Sequence, residues 1–231
     1  MTYVSWNNAA RFANWMANGQ PTGSQSASTT ENGAYNLAGA SGVVALNATN
    51  PNTPGLAPTF ALPTSDQWYK AAYYNPTLNG GSGGYYDYAT QSDTAPGNAV
   101  GGGSNQANVF VTGVGYSLTQ STTLDTNQNY LTDVGSYTGS ASYYGTFDQT
   151  GNTSEWTSTA GGTGTAVLRG GAWNLNSSIG AGAGIDTGVT IANYDTGFRL
   201  VAPVPEPSTM VLVFSALVGV GCWSWRRSRH Q

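Results

Sequence analysis

The stretch that most constrains this chain is Phe147-Asp148-Gln149-Thr150-Gly151-Asn152-Thr153-Ser154-Glu155-Trp156. It sets two carboxylates, Asp148 and Glu155, at the ends of a turn of small polar residues, and Trp156 returns the chain to an apolar interior. A turn of Gly, Asn, Thr and Ser exposes backbone carbonyls. Carboxylates together with carbonyls are the ligands of a hard cation such as calcium. The same pattern also serves as a plain polar turn between two core aromatics, and its spacing is not that of an EF-hand loop. Both readings stay open on spacing alone.

Residue types narrow the chemistry. The only histidine is His230 and the only cysteine is Cys222, both near the C-terminus. The first 203 residues therefore offer no histidine base, no Cys/His zinc site and no intrachain disulfide. Up to Pro205 the chain carries four basic residues, Arg11, Lys70, Arg169 and Arg199, against ten acidic ones, a net charge of −6. Such an acidic body argues against nucleic acid, which is bound through a basic surface. The abundance of Gly, Ser, Thr and Asn predicts many turns and little long helix.

Two helices are predicted. In the first, within Thr2 to Asn18, Ser5 can cap, and Trp6, Ala10, Ala13 and Ala17 recur at helical spacing, with Ala9, Phe12 and Met16 widening the stripe. The second runs within Leu62 to Asn75, with Thr64 as cap, Gln67 completing a capping box and Asn75-Pro76 as the stop. Between them, Gly19 to Thr59 reads as a surface insertion of loops, with Tyr35-Leu37 and Val43-Leu46 as weak strand candidates. Tyr85, Tyr86 and Tyr88 follow in a Gly/Tyr stretch. They form a candidate binding surface for a sugar or peptide, or else pack over loops with their hydroxyls in water. Arg169-Gly170-Gly171 is predicted as a strand whose glycines admit close backbone approach. Arg169 and Arg199 are the natural partners of core carboxylates, with a substrate clamp as the alternative.

These segments carry a resemblance. Gly151-Asn152-Thr153-Ser154-Glu155-Trp156 resembles the G-N-x-x-E-W signature of the formylglycine-generating enzyme (sulfatase-modifying factor) family. Val4-Ser5-Trp6 with Ala9-Ala10, Leu62 to Trp68, Arg169 to Trp173 and Gly197-Phe198-Arg199 are similar to four further motifs of that family, in the same order. The resemblance implies an α+β, C-type-lectin-like fold over residues 1–203, loop-rich, with two helices and short antiparallel strands. It also implies calcium held by the side chains of Asp148 and Glu155 and the carbonyls of Gly151 and Thr153. A second segment, Asn108-Val109, resembles another calcium site of the family, with Asp125 as the nearest partner carboxylate. Relatives carry further strands upstream, and neither a basic n-region nor an apolar h-region precedes the first motif, so an N-terminally truncated chain is expected.

The resemblance also locates where the family's chemistry departs. In the enzyme, two cysteines after the G-G-S motif bind copper and support oxidation of a substrate cysteine. Counted from Gly170-Gly171, those places hold Leu175 and Gly180. Copper(I) is held by soft thiolates, so no copper is expected here. A branch of the family that uses non-haem iron takes its histidines from a companion domain, and none is present in this sequence. The expectation is a non-catalytic relative that binds an extracellular glycan or protein, stabilised by calcium. The alternative is an oxidoreductase acting on protein cysteine with an altered active site.

Beyond the body, Val204-Pro205-Glu206-Pro207 breaks the chain. Thr209 to Trp225 is then an uncharged, almost wholly apolar run, near the minimum for a membrane-spanning helix, followed by Arg226, Arg227 and Arg229. Residues 204–231 thus resemble a PEP-CTERM protein-sorting signal: Pro205, Glu206 and Pro207 as the motif, a span over 209–225, then Arg226 and Arg227. This implies export to the cell envelope or extracellular matrix, membrane anchoring before sorting, and processing by an exosortase.

Overall fold

The computed structural model describes residues 1–180, 185–188 and 192–202. One compact unit runs from Met1 to Val201. The sorting residues Pro205, Glu206, Pro207, Arg226 and Arg227 and the predicted span 209–225 lie outside the described residues. Among the described residues no helix is long and apolar enough to cross a membrane.

Helix α1, Trp6–Ala17, begins where Ser5 accepts the Asn8 N–H at 3.3 Å, as a capping serine does. Its buried face is Trp6, Ala9, Ala10, Ala13, Asn14 and Ala17. The expected stripe is therefore corrected at three places. Phe12 is 39 % exposed, Met16 is half-buried, and Asn14 is fully buried. Asn14 is inside because its amide serves a loop: Nδ2 donates to the carbonyls of Thr30 and Tyr35, and Oδ1 accepts the Tyr35 N–H.

That clamp corrects a second expectation. The 19–59 segment is not merely a surface insertion, because Ala34, Tyr35 and Leu37 belong to the core. The two weak strand candidates meet only as a single bridge, Tyr35 to Leu46. A π-helical turn, Ala27–Glu31, occupies part of the loop. Where no ladder exists, backbone groups still need partners. Asparagines supply them here. Asn18 bonds the carbonyls of Thr29 and Asn32, Asn47 that of Gly33, Asn50 that of Ala17, and Asn52 those of Ala27 and Asn32. The Asn-rich, charge-poor composition thus replaces sheet with side-chain amides.

Helix α2, Ser65–Tyr73, carries the expected capping box between Thr64 and Gln67. It ends earlier than predicted, because Tyr74–Asn75 (β1) pairs with Gly84–Tyr85 (β2). A short turn of helix, α3 (Leu78–Gly81), joins these two strands. The main sheet has four strands: β3 (Ser154–Ala160), β4 (Thr165–Arg169), β5 (Ile185–Gly188) and β6 (Thr196–Phe198), in the order β5-β4-β3-β6. It is mixed, not purely antiparallel as expected, since β3 and β6 run parallel. Gly170 and Gly171 lie beyond β4, at φ 92° and 70°. A Cβ on Gly170 would stand 3.1 Å from both the Gln149 carbonyl and the Trp68 ring, which is the close approach the glycines predict.

Two tryptophans tie the N-terminal segment to β3. The Trp6 indole donates to the Thr157 carbonyl at 2.8 Å, and the Trp156 indole donates to the Val4 carbonyl at 2.7 Å. Both rings are fully buried. Burial of each such side chain contributes about 1.5–3 kcal/mol, and the alanine face of α1 lets the helix lie close to the sheet.

Candidate functional site

β3 places Glu155 at the centre of the molecule. Paired with β4 on one side and β6 on the other, its register sets Glu155 opposite Arg169 and Gly197. The buried carboxylate accepts the Trp68 indole N–H at 2.7 Å and takes Arg199 in two contacts, Nε to Oε2 at 2.5 Å and Nη2 to Oε1 at 2.8 Å. Arg199 also bonds the Phe147 carbonyl. Three of the recognised motifs therefore converge on one carboxylate. Arg169 is differently engaged. Its Nε and Nη2 reach the Ser65 hydroxyl, and its guanidinium lies over the Tyr69 ring.

Asp148 adopts φ 59°, and its carboxylate accepts the Gly135 N–H at 2.7 Å. Burial pushes its pKa up from the ordinary carboxylate value, and the charge of Glu155 adds to this, while the Gly135 N–H and Arg199 oppose it. Asp148, Thr153, Glu155 and Arg199 line one cavity of about 200 Å³. The donors suit a hard cation in kind. The Gly135 N–H takes Oδ2 of Asp148 and Arg199 Nη2 takes one lone pair of Glu155 Oε1, which leaves Oδ1 of Asp148 and part of Oε1 of Glu155 for a cation. Gly151 stands in the turn at φ 79°, its carbonyl accepting the Thr153 N–H. Among the described residues no group of three or more acidic, His or Cys side chains gathers.

The second calcium segment is built into the first. Asn108 and Gly151 form a parallel bridge, and a Cβ on Gly151 would meet the Asn108 carbonyl at 2.2 Å. Asn152 is the hub of this unit. It sits at φ 63°, its N–H donates to the Asn108 carbonyl, and its Oδ1 accepts from the Asn108 amide and the Thr132 N–H. Its carbonyl accepts the Trp173 N–H. The structure does not bring Asp125 to Asn108. They hold opposite ends of Tyr130: its hydroxyl accepts the Asp125 N–H, and its carbonyl accepts from the Asn108 amide. The Val109 carbonyl is taken by Asn98.

The tyrosine stretch is divided as well. Tyr85 is half-exposed and packs with Tyr69 and Tyr74, Tyr86 is partly buried, and Tyr88 is buried and bridged to Ser92. The larger aromatic assembly lies elsewhere. Trp173 stacks on Tyr130 with centroids 4.7 Å apart and planes at 7°, and both contact Tyr116. Tyr194 joins at 5.9 Å from Trp173. This assembly walls a cleft of about 370 Å³ bordered by Tyr3 and the 124–131 loop. Residues 116, 130, 173 and 194 share no periodicity, so only Trp173, through its motif, was visible in the sequence.

The family's first cysteine position is held here by a half-buried leucine. Leu175 accepts the Phe110 N–H through its carbonyl, and its Cδ1 comes to 3.7 Å of the position a Cβ would take on Gly171. Gly180 closes the 3₁₀ turn Ser177–Gly180.

Comparison with known proteins agrees with this arrangement. A family model described as the sulfatase-modifying factor enzyme 1-like domain matches residues 1–204. A model of the PEP-CTERM protein-sorting motif matches residues 203–228. No curated protein gives a significant match. Among solved structures, the chain is similar to the crystal structure of CarF, at 24 % identity and a TM-score of 0.52, covering 88 % of this chain and 67 % of that one. It is also similar to Treponema denticola variable protein 1, at 17 % identity and a TM-score of 0.53, covering 88 % and 71 %. These likenesses are of fold.

Proposed function

The chain belongs to the sulfatase-modifying factor enzyme 1-like family, and from that premise we propose that it serves as a non-catalytic binding scaffold outside the cell. Export and processing by an exosortase-type enzyme follow from the sorting motif. The observation that carries the non-catalytic reading is the pair Leu175 and Gly180 in the places where the family's enzyme has cysteines. Leu175 is half-buried, an apolar side chain where the enzyme needs a thiolate. Nucleophilic catalysis fares no better, since a Ser or Thr nucleophile needs a base and the first 203 residues have no histidine.

A structural calcium belongs to the same proposal. Asp148 and Glu155 would hold it with the carbonyls of Gly151 and Thr153, and when bound it would supply positive charge to a cavity where Arg199 pairs with Glu155 while Asp148 rests on the Gly135 N–H. This chain's own residues already position the turn: Arg199 and Trp68 fix Glu155, and Gly135 fixes Asp148.

The test is oxygen uptake by the full chain with a cysteine-containing peptide and added copper. No uptake above the protein-free rate is expected. Protein-dependent uptake with loss of the peptide thiol would return the chain to the oxidoreductases.

A further inference from the structure

We propose that the cleft between Tyr130, Trp173, Tyr194 and Tyr3 binds a neutral glycan, one or two sugar rings at a time. This rests on the scaffold reading above and names the ligand of its cleft.

Three observations carry it. The first is rigidity. The Trp173–Tyr130 stack is buried, with Tyr116 packed against both rings and Phe110 packed against Tyr116. Its backbone is pinned, because the Trp173 N–H bonds the Asn152 carbonyl. A wall fixed in advance loses little side-chain entropy when a ligand arrives. The second is the pair of exposed rings at the rim. Tyr194 is 44 % exposed and Tyr3 68 %. Tyr3 holds φ 57°, an uncommon conformation for tyrosine, while its N–H bonds the Asn193 carbonyl at 2.8 Å. The backbone therefore joins the two rim segments. Flat, exposed, amphipathic rings bury a ring-shaped ligand at small entropic cost.

The third is the polar complement. The 124–131 loop, which carries Tyr130, also lines the cleft with Gln128, Asn129, Thr126 and Asp125, groups that between them donate to and accept from hydroxyls. Among the described residues that line the cleft, Asp125 is the only ionisable acid or base apart from tyrosines. A polyanionic sugar would face that carboxylate with no cation among the described lining residues to answer it, which favours a neutral one. A sugar ring with an apolar face and a hydroxylated edge matches a cleft lined by both aromatic rings and amides, and the volume stands at the small end of ligand sites.

The experiment is calorimetric titration of the full chain in detergent with chitotetraose, cellotetraose and mannotetraose, with tetragalacturonate as the anionic probe. Saturable binding of at least one neutral probe is expected, weaker by about tenfold or more in both Tyr194→Ala and Tyr3→Ala. Both side chains are exposed, and unchanged near-ultraviolet circular dichroism shows that the wall is intact. No binding of any neutral probe at millimolar concentration overturns the proposal. So does neutral binding that ignores both variants, or binding of tetragalacturonate alone. The scaffold reading is judged separately by oxygen uptake, so one can fail while the other stands.

Discussion

Glu155 and Arg199 form a paired contact at the centre of the molecule, Nε to Oε2 at 2.5 Å and Nη2 to Oε1 at 2.8 Å, with the carboxylate buried. They are 44 residues apart in sequence; Glu155 lies on β3 and Arg199 directly follows β6, the parallel strand beside it. The pair joins two motifs that are otherwise separate marks along the sequence.

A pair this buried is costly to break on one side. Arg199→Met leaves the Glu155 charge with only the Trp68 indole, and a loss of about 3–5 kcal/mol is expected. Glu155→Gln strands the guanidinium in the same way. Because the unpaired charge is the main penalty, the double variant Glu155→Gln/Arg199→Met is expected to recover part of the loss. Urea unfolding of the four proteins, arranged as a double-mutant cycle, measures the coupling. Additive losses would show that the two groups do not act as a pair.

Calcium is expected to raise the melting midpoint of the full chain. A ligand that binds only the native state at a hundredfold excess over its Kd adds about 2.7 kcal/mol. Asp148→Asn should weaken the rise and Glu155→Gln abolish it, with chelator returning the wild type to its lower midpoint. Scanning calorimetry with and without calcium decides this. A midpoint indifferent to calcium would leave the turn held by Arg199 and Asn152 alone.

Asn152→Ala tests the hub. The substitution removes the acceptor of the Asn108 amide and the Thr132 N–H and places a residue without a side-chain amide at φ 63°. The buried Asn108 amide keeps only its bond to the Tyr130 carbonyl and the half-buried Thr132 N–H loses its acceptor, a loss of about 1–3 kcal/mol. The Trp173 N–H keeps its carbonyl partner, since that acceptor is backbone. Loss of stability measured by urea, together with a changed near-ultraviolet signal from Trp173, is the expected outcome.

The motifs were legible in the sequence because each is local. Ser5 and Thr64 cap helices by spacing rules that need no tertiary contact, and the Glu155 turn announces itself by its own residues. What the sequence hid is non-local. Asn14 reads as a break in an apolar stripe, yet it is buried because a loop 21 residues away needs its amide. Tyr85, Tyr86 and Tyr88 look like one surface from their closeness, but a strand and a turn send them to different places. Tyr116, Tyr130, Trp173 and Tyr194 look unrelated until the loops fold. The Asp125 carboxylate was paired with Asn108 by order along the chain, and Tyr130 stands between them.

Tyr35 makes the buried core sensitive to alkali. Its hydroxyl accepts the Leu62 N–H at 3.0 Å, and burial pushes its pKa up to about 12. Because the folded pKa lies above the unfolded value of about 10, the folded state holds the proton more tightly. Stability is complete below that value and is lost as the pH rises toward 12. Tyr35→Phe should remove this alkaline loss. It should also cost about 1–3 kcal/mol at neutral pH, by leaving the Leu62 N–H without its acceptor. Unfolding curves at neutral and alkaline pH for both proteins check the two effects together.

Glu31 gives the opposite dependence. Its carboxylate receives the Arg11 guanidinium at 2.7 Å, which holds its pKa below the ordinary value of 4.5, with Gln25 assisting against the cost of burial. The folded state therefore binds this proton less readily than the unfolded chain. The contribution is full above about 4.5 and disappears as the pH falls through the folded value. Both side chains keep contact with solvent, so the effect is small, about 0.2–1 kcal/mol. Glu31→Gln should flatten that part of the acid unfolding profile while leaving the alkaline limb set by Tyr35 unchanged. A profile that falls equally steeply in the variant would place the acid sensitivity on other carboxylates. In calcium-free protein Asp148 is not among them, because its pKa is raised and protonation favours the folded state there.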